Sequence, residues 1–155
     1  MKSRNVCLTR IVLAASGTGA GSALIGDHMV SDRRPRAMQK ILIVIHAPPY
    51  GSERCLSALR VASALVGLDE HRPEVRVFLM SDATVLALPN QVDGATSGLQ
   101  GMVETLVDHD VSIKVCRTCA LARGIAERPL IRGTAIGTLG DLAKSTVWAD
   151  KVITF

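Results

Sequence analysis

Cys116 and Cys119 stand three residues apart in the stretch KVCRTCALARGI, residues 114–125, with Arg117 between them and a helix-like run behind. Four kinds of chemistry use such a pair. It can hold a metal, switch between dithiol and disulfide, carry a transferred group, or simply fill space as two small apolar side chains. The other cysteines offer less. Cys7 lies in a segment of different composition, and Cys55 falls on the apolar side of a helical pattern.

Ligand counting argues against metal. One C-x-x-C supplies half a structural zinc site, and the other half should be a second such pair or two suitably spaced histidines. His46, His71 and His109 are singletons, so no metal and no bound cofactor is expected. A thioredoxin-type dithiol is a stronger rival, because C-x-x-C at a helix start suits that chemistry. Here, however, the motif follows a third strand, and Pro129 in ERPL is the only proline downstream of it. That order does not fit a thioredoxin-like chain.

The elements that position the cysteines can be read from periodicity. KILIVIH is a β-branched run of strand length that ends in the turn APPYG. Ser52 is placed to cap the next helix, whose apolar positions run from Cys55 to Val66 before Gly67. EVRVFLM gives a second strand, a loop covers 87–97, and Leu99, Met102, Val103, Leu106 and Val107 mark a second helix. VSIKVC is a third strand and TCALARGIAE a short helix. LIRGTAI then reads as a fourth strand, GDLAKSTVWAD as a helix beginning near Gly140 or Asp141, and KVITF as a fifth strand. Regular alternation of this kind predicts right-handed βαβ units. The fold class is α/β, a three-layer α/β/α sandwich with a mainly parallel five-stranded sheet. The aromatic share of 3% leaves the core to aliphatic residues, as buried parallel strands require.

In such sheets reactive groups gather beyond the carboxyl ends of the strands. Cys116 falls at that end, where unpaired backbone N–H groups, the helix dipole and Arg117 should all favour thiolate. The dipole supplies only about 0.3–1 kcal/mol, less than the ~1.36 kcal/mol that moves a pKa by one unit. The arginine or a partner protein has to provide the rest. Tyr50 and Gly51, in the turn after the first strand, are expected on the same edge, with the glycine allowing close backbone approach. Arg123 reads as an anchor for the short helix.

The net charge of +4 is confined to one end. Lys2, Arg4, Arg10, Arg33, Arg34 and Arg36 face only Asp27 and Asp32 within residues 1–37, leaving twelve basic and twelve acidic residues in 38–155. A neutral body with one Trp, one Tyr and two Phe offers no phosphate-tracking groove or stacking platform, which excludes nucleic acid as a partner. Residues 1–37 form a basic extension broken by Gly, Ser and Pro, consistent with a start upstream of a true one at Met38. Its glycines fail both the dinucleotide and the P-loop pattern. A single domain spans 38–155. No run reaches the ~20 apolar residues of a membrane span, and cysteines without scaffold spacing point to a reducing, cytoplasmic setting.

Three stretches, APPYGSERCLSALRVASAL, VSIKVCRTCALARGI and GTLGDLAKSTVWADKVITF, in this order and spacing, resemble the DsrE/DsrF/TusD family of sulfur-relay proteins, also described as DsrE-like or YchN-like. The resemblance covers nearly all of 38–155. It implies that Cys116 matches the cysteine that accepts a sulfane sulfur as a persulfide and passes it to a partner thiol. Cys119 matches a second cysteine present in many relatives and absent from some carriers. The resemblance also implies donor and acceptor proteins, a dimer, trimer or hexamer of identical chains, and no cofactor. Catalysis thus falls to Cys116 and Cys119, with Tyr50, Gly51 and Arg117 lining the substrate. Two alternatives stand beside sulfur relay: an oligomeric binding protein that turns over no sulfur, and a dithiol redox protein using the same two cysteines.

Overall fold

The computed structural model describes residues 38–92 and 98–155. The basic extension 1–37 and residues 93–97 of the predicted loop lie outside the described residues. Five strands, β1 (Lys40–Ile45), β2 (Glu74–Leu79), β3 (Ser112–Cys116), β4 (Thr134–Gly137) and β5 (Lys151–Thr154), alternate with helices α1 (Arg54–Val66), α2 (Leu99–Asp108), α3 (Arg117–Ala122) and α4 (Leu139–Trp148). All strand pairs are parallel, in the order β4-β3-β2-β1-β5.

That order decides where the helices go. The chain steps from β1 to β4 in one direction and then returns past β1 to place β5. Right-handed crossovers put helices of opposite stepping direction on opposite faces. Ile41, Ile43 and Ile45 of β1, Val75, Val77 and Leu79 of β2, and Ile113 and Val115 of β3 accordingly pack in one large core with Cys55, Ala58 and Leu59 of α1 and Val103 and Leu106 of α2. The alternate residues Leu42, Val44, Phe78 and Cys116 point the other way and form a smaller cluster with Leu142 of α4 and Ala149 after it. The period-2 pleat thus sends Cys116 to the less covered face.

α4 is pinned at both ends. At its start, Thr138 and Asp141 make a reciprocal capping box, and Asp141 Oδ1 accepts a hydrogen bond from Lys114 Nζ at 2.9 Å. At its end, Trp148 lies under the Arg76 guanidinium, 3.7 Å from the ring centroid. Such charge-on-ring contacts contribute about 0.5–2 kcal/mol.

Several local expectations are corrected. Ser52 does not cap α1; Glu53 occupies that position and makes no side-chain capping bond. Residues 81–87, at the edge of the expected loop, form a 3₁₀ helix. The fourth strand is shorter than LIRGTAI, because a turn closed by Thr134 N–H on the Ile131 carbonyl occupies its first half. The fourth helix starts at Leu139, after a Thr138 cap, slightly ahead of the expected Gly140 or Asp141. The expected parallel five-stranded sheet itself is seen, with every strand pair parallel.

Candidate functional site

Cys116 is both the last residue of β3 and the residue that caps α3. Strand backbone up to Val115 places it at the carboxyl edge of the sheet, and its neighbour across the ladder is Gly137 of β4. Space at that neighbour is tight. A Cβ there would come within 3.0 Å of Lys114 Cβ and 3.2 Å of Phe78 Cε2, so a larger residue would press on the side chains of both. On the other side Phe78 and Met80 of the β2 strand and its extension pack in the same cluster.

The electrostatics differ from the sequence expectation. Cys116 is only 5% exposed, and burial pushes its thiol pKa up from the ordinary value. The N–H groups of Cys119 and Thr118 pull it down, as a helix start should, while the adjacent Cys119 thiol pushes it up again. Neither N–H makes a full capping hydrogen bond to the sulfur. Desolvation outweighs the helix start here, because a six-residue helix offers few aligned dipoles. Burial thus favours the thiol, against the lean toward thiolate expected from the helix start and Arg117.

Cys119 sits one turn on, half-buried, packed against the Cys116 cluster. Its carbonyl accepts from Arg123 Nη1 at 3.1 Å. Arg123 also grips Asp82 of the 3₁₀ helix, with Nε and Nη2 at 3.0 and 2.7 Å from Oδ1. The anchoring role read for Arg123 is therefore seen, tying α3 to the segment that follows β2. Arg117 is exposed on the first turn of α3.

Tyr50 and Gly51 lie beyond β1, with the end of β2 between them and Cys116. Strand spacing of about 4.8 Å puts the ends of β1 and β3 about 10 Å apart. Tyr50 is exposed, and its hydroxyl donates to Gln91 Oε1 at 3.0 Å. Gly51 has φ +89, which its turn requires. These two share the edge with the cysteines, whereas Cys116 and Cys119 share a cluster. Cys55 belongs to the opposite face: its Sγ donates to the Ala47 carbonyl at 3.1 Å, and burial raises its pKa to about 11. Among the described residues, no three His, Cys, Asp or Glu side chains are grouped to hold a metal.

Gly137, Lys114 and Asp82 enter the site only with the structure, and Asp141, expected near a helix start, gains its bond to Lys114 there. Lys114 and Asp141 each had a signal in the sequence. Thr138-x-x-Asp141 is a capping-box spacing, and the alternation in SIKVC sets Lys114 and Cys116 on one face. Asp141 is held well below the usual carboxylate range, first by the Thr138 N–H and then by Lys114.

Comparison with known proteins agrees with this architecture. Protein YchN of Escherichia coli (strain K12) is 48% identical over 118 residues, which is 76% of this chain and all of that one. The crystal structure of the E. coli ychN protein superimposes with a TM-score of 0.72 at 47% identity, again over 76% of this chain and all of that one. Sulfurtransferase TusD of Pectobacterium atrosepticum is more distant, 29% identical over 131 residues, covering 76% of this chain and all of that protein. Residues 39–155 match the DsrE/DsrF-like family, and the chain belongs to it.

Proposed function

We propose that this protein is a sulfur carrier: Cys116 accepts a sulfane sulfur as a persulfide and hands it to the thiol of an acceptor protein. The observation that carries this reading is the position of Cys116, at the junction of β3 and α3, with a second thiol packed beside it. The similarity to a protein named as a sulfurtransferase supports it.

The chemistry sets its own requirement. Loading means that the Cys116 thiolate attacks the sulfane sulfur of a donor, forming Cys116 S–SH and releasing the donor thiolate. Because burial favours the thiol, loading depends on pH and on a donor that displaces water and supplies positive charge at this edge. Arg117, exposed on the first turn of α3, adds such a charge from the chain itself. Tyr50 and Gly51 form the part of the edge that a donor or acceptor covers. The carrier works in a reducing cytoplasm and assembles with copies of itself. Leu139 and Val147 of α4 and Val152 of β5 are 69%, 89% and 46% exposed on the face that a single helix covers, an apolar surface suited to a second copy.

Intact-mass spectrometry tests the carrier reading most directly in a Cys119→Ser variant that also carries Cys7→Ser, so that neither the neighbouring thiol nor Cys7 competes for the sulfur. After treatment with inorganic polysulfide and desalting, the variant should gain one sulfur, about 32 Da, removable by reductant. Adding Cys116→Ser should abolish the gain, and adding Cys55→Ser should leave it. No uptake in the Cys119→Ser protein would refute the carrier reading and leave a binding protein that turns over no sulfur.

A further inference from the structure

Cys119 has the placement of a thiol that acts on its neighbour. As the third residue of α3 it stands one turn from the capping position held by Cys116, the relation in which a cap side chain and the third helical residue meet. A disulfide between them would bring their Cβ atoms to about 3.5–4.5 Å. The two side chains pack in one cluster. Cys119 is the more exposed of the two. Cys55, on the opposite face and bonded to the Ala47 carbonyl, cannot substitute.

We propose that Cys119 is a resolving thiol that converts the Cys116 persulfide into hydrogen sulfide and a Cys116–Cys119 disulfide, giving the protein a sulfide-releasing activity beside sulfur transfer. This rests on the carrier reading, since it needs the persulfide as its starting point. The Cys119 sulfur attacks the inner sulfur of Cys116 S–SH. The bond between the Cys116 and Cys119 sulfurs forms, and the bond from Cys116 to the sulfane sulfur breaks. The sulfane sulfur leaves as hydrosulfide and takes the Cys119 proton, so that hydrogen sulfide is the product. It is reduced from the sulfane to the sulfide level, and the two cysteine sulfurs are oxidised to the disulfide. A dithiol reductant then restores both thiols and is itself oxidised to a disulfide. The cycle consumes one sulfane sulfur and one dithiol.

The geometry also sets the competition. An acceptor thiol must reach the outer sulfur from solution, while Cys119 is tethered next to the inner one. Without an acceptor the internal reaction wins, because tethering raises the local thiol concentration. An acceptor that covers Cys119 on docking diverts the sulfur to itself.

The test compares full-length wild type with Cys119→Ser after one pulse of inorganic polysulfide, reading intact mass and released sulfide together. Wild type should lose the added sulfur at least about tenfold faster than the variant. It should end about 2 Da lighter than the reduced protein with one sulfide released per chain, and peptide mapping should join 116 to 119. Cys116→Ser should form no disulfide and release no sulfide. If wild type keeps its added sulfur as long as Cys119→Ser does, or if mapping finds the sulfur moved onto Cys119, the resolving role is wrong while the carrier reading stands. If Cys119→Ser never loads, both fall.

Discussion

Burial raises the pKa of Cys116 while the N–H groups of Cys119 and Thr118 lower it, and burial prevails. A raised acid keeps its proton to higher pH, so less thiolate is present at a given pH than for an ordinary cysteine. Alkylation of Cys116 by iodoacetamide, followed by peptide mapping across pH, should therefore show a midpoint above the reference value of 9.0. Cys55 should resist until the pH approaches about 11. A Cys116 midpoint well below that reference would show that the helix start and Arg117 outweigh desolvation. The residue types at 116, 117 and 119 could be read from the chain as a chemical site, but the protonation state could not. It depends on Phe78, Met80 and Leu142, which lie between about 20 and 40 residues away in sequence and are assembled only by the sheet and α4.

Among the elements, α4 holds the second face of the sheet and carries the partner of Lys114. Thr138→Ala removes a capping side chain that both accepts from the Asp141 N–H and donates to its carboxylate. Loss of such a cap costs about 1 kcal/mol, which thermal or urea unfolding should register as a lower midpoint, with Thr138→Ser largely restoring it. An unchanged midpoint would mean that α4 adds nothing to the cooperative core. The elements best read from sequence were those whose pattern is long enough to repeat: the aliphatic run of β1, the spaced apolar positions of α1, and the alternation in β3. The 3₁₀ helix Ser81–Ala87 has no such signature, since two turns are too short for a period to show. The Ser52 cap failed because the chain makes one more turn residue before the helix begins, leaving Glu53 in the capping place. The start of β4 was misread because Ile131 and Thr134 look like strand residues and instead close a turn.

For the whole molecule, the two faces of the sheet are unequally covered. One carries α1, α2 and a large aliphatic core; the other carries α4 over a small cluster, with Leu139, Val147 and Val152 open to solvent. Sedimentation should find the protein as a discrete oligomer, and Val147→Glu should shift it toward the monomer. Because Val147 is almost fully exposed, the fold itself should change by no more than about 0.5 kcal/mol. A wild type that sediments as a monomer at all concentrations would rule out self-assembly through this surface. One other arrangement joins α3 to the segment after β2. Arg123 holds the Asp82 carboxylate and the Cys119 carbonyl at once, so a contact that pulls on the segment after β2 tugs the second sulfur with it. A visiting protein that presses on Asp82 without touching either cysteine is thereby connected to the backbone of Cys119.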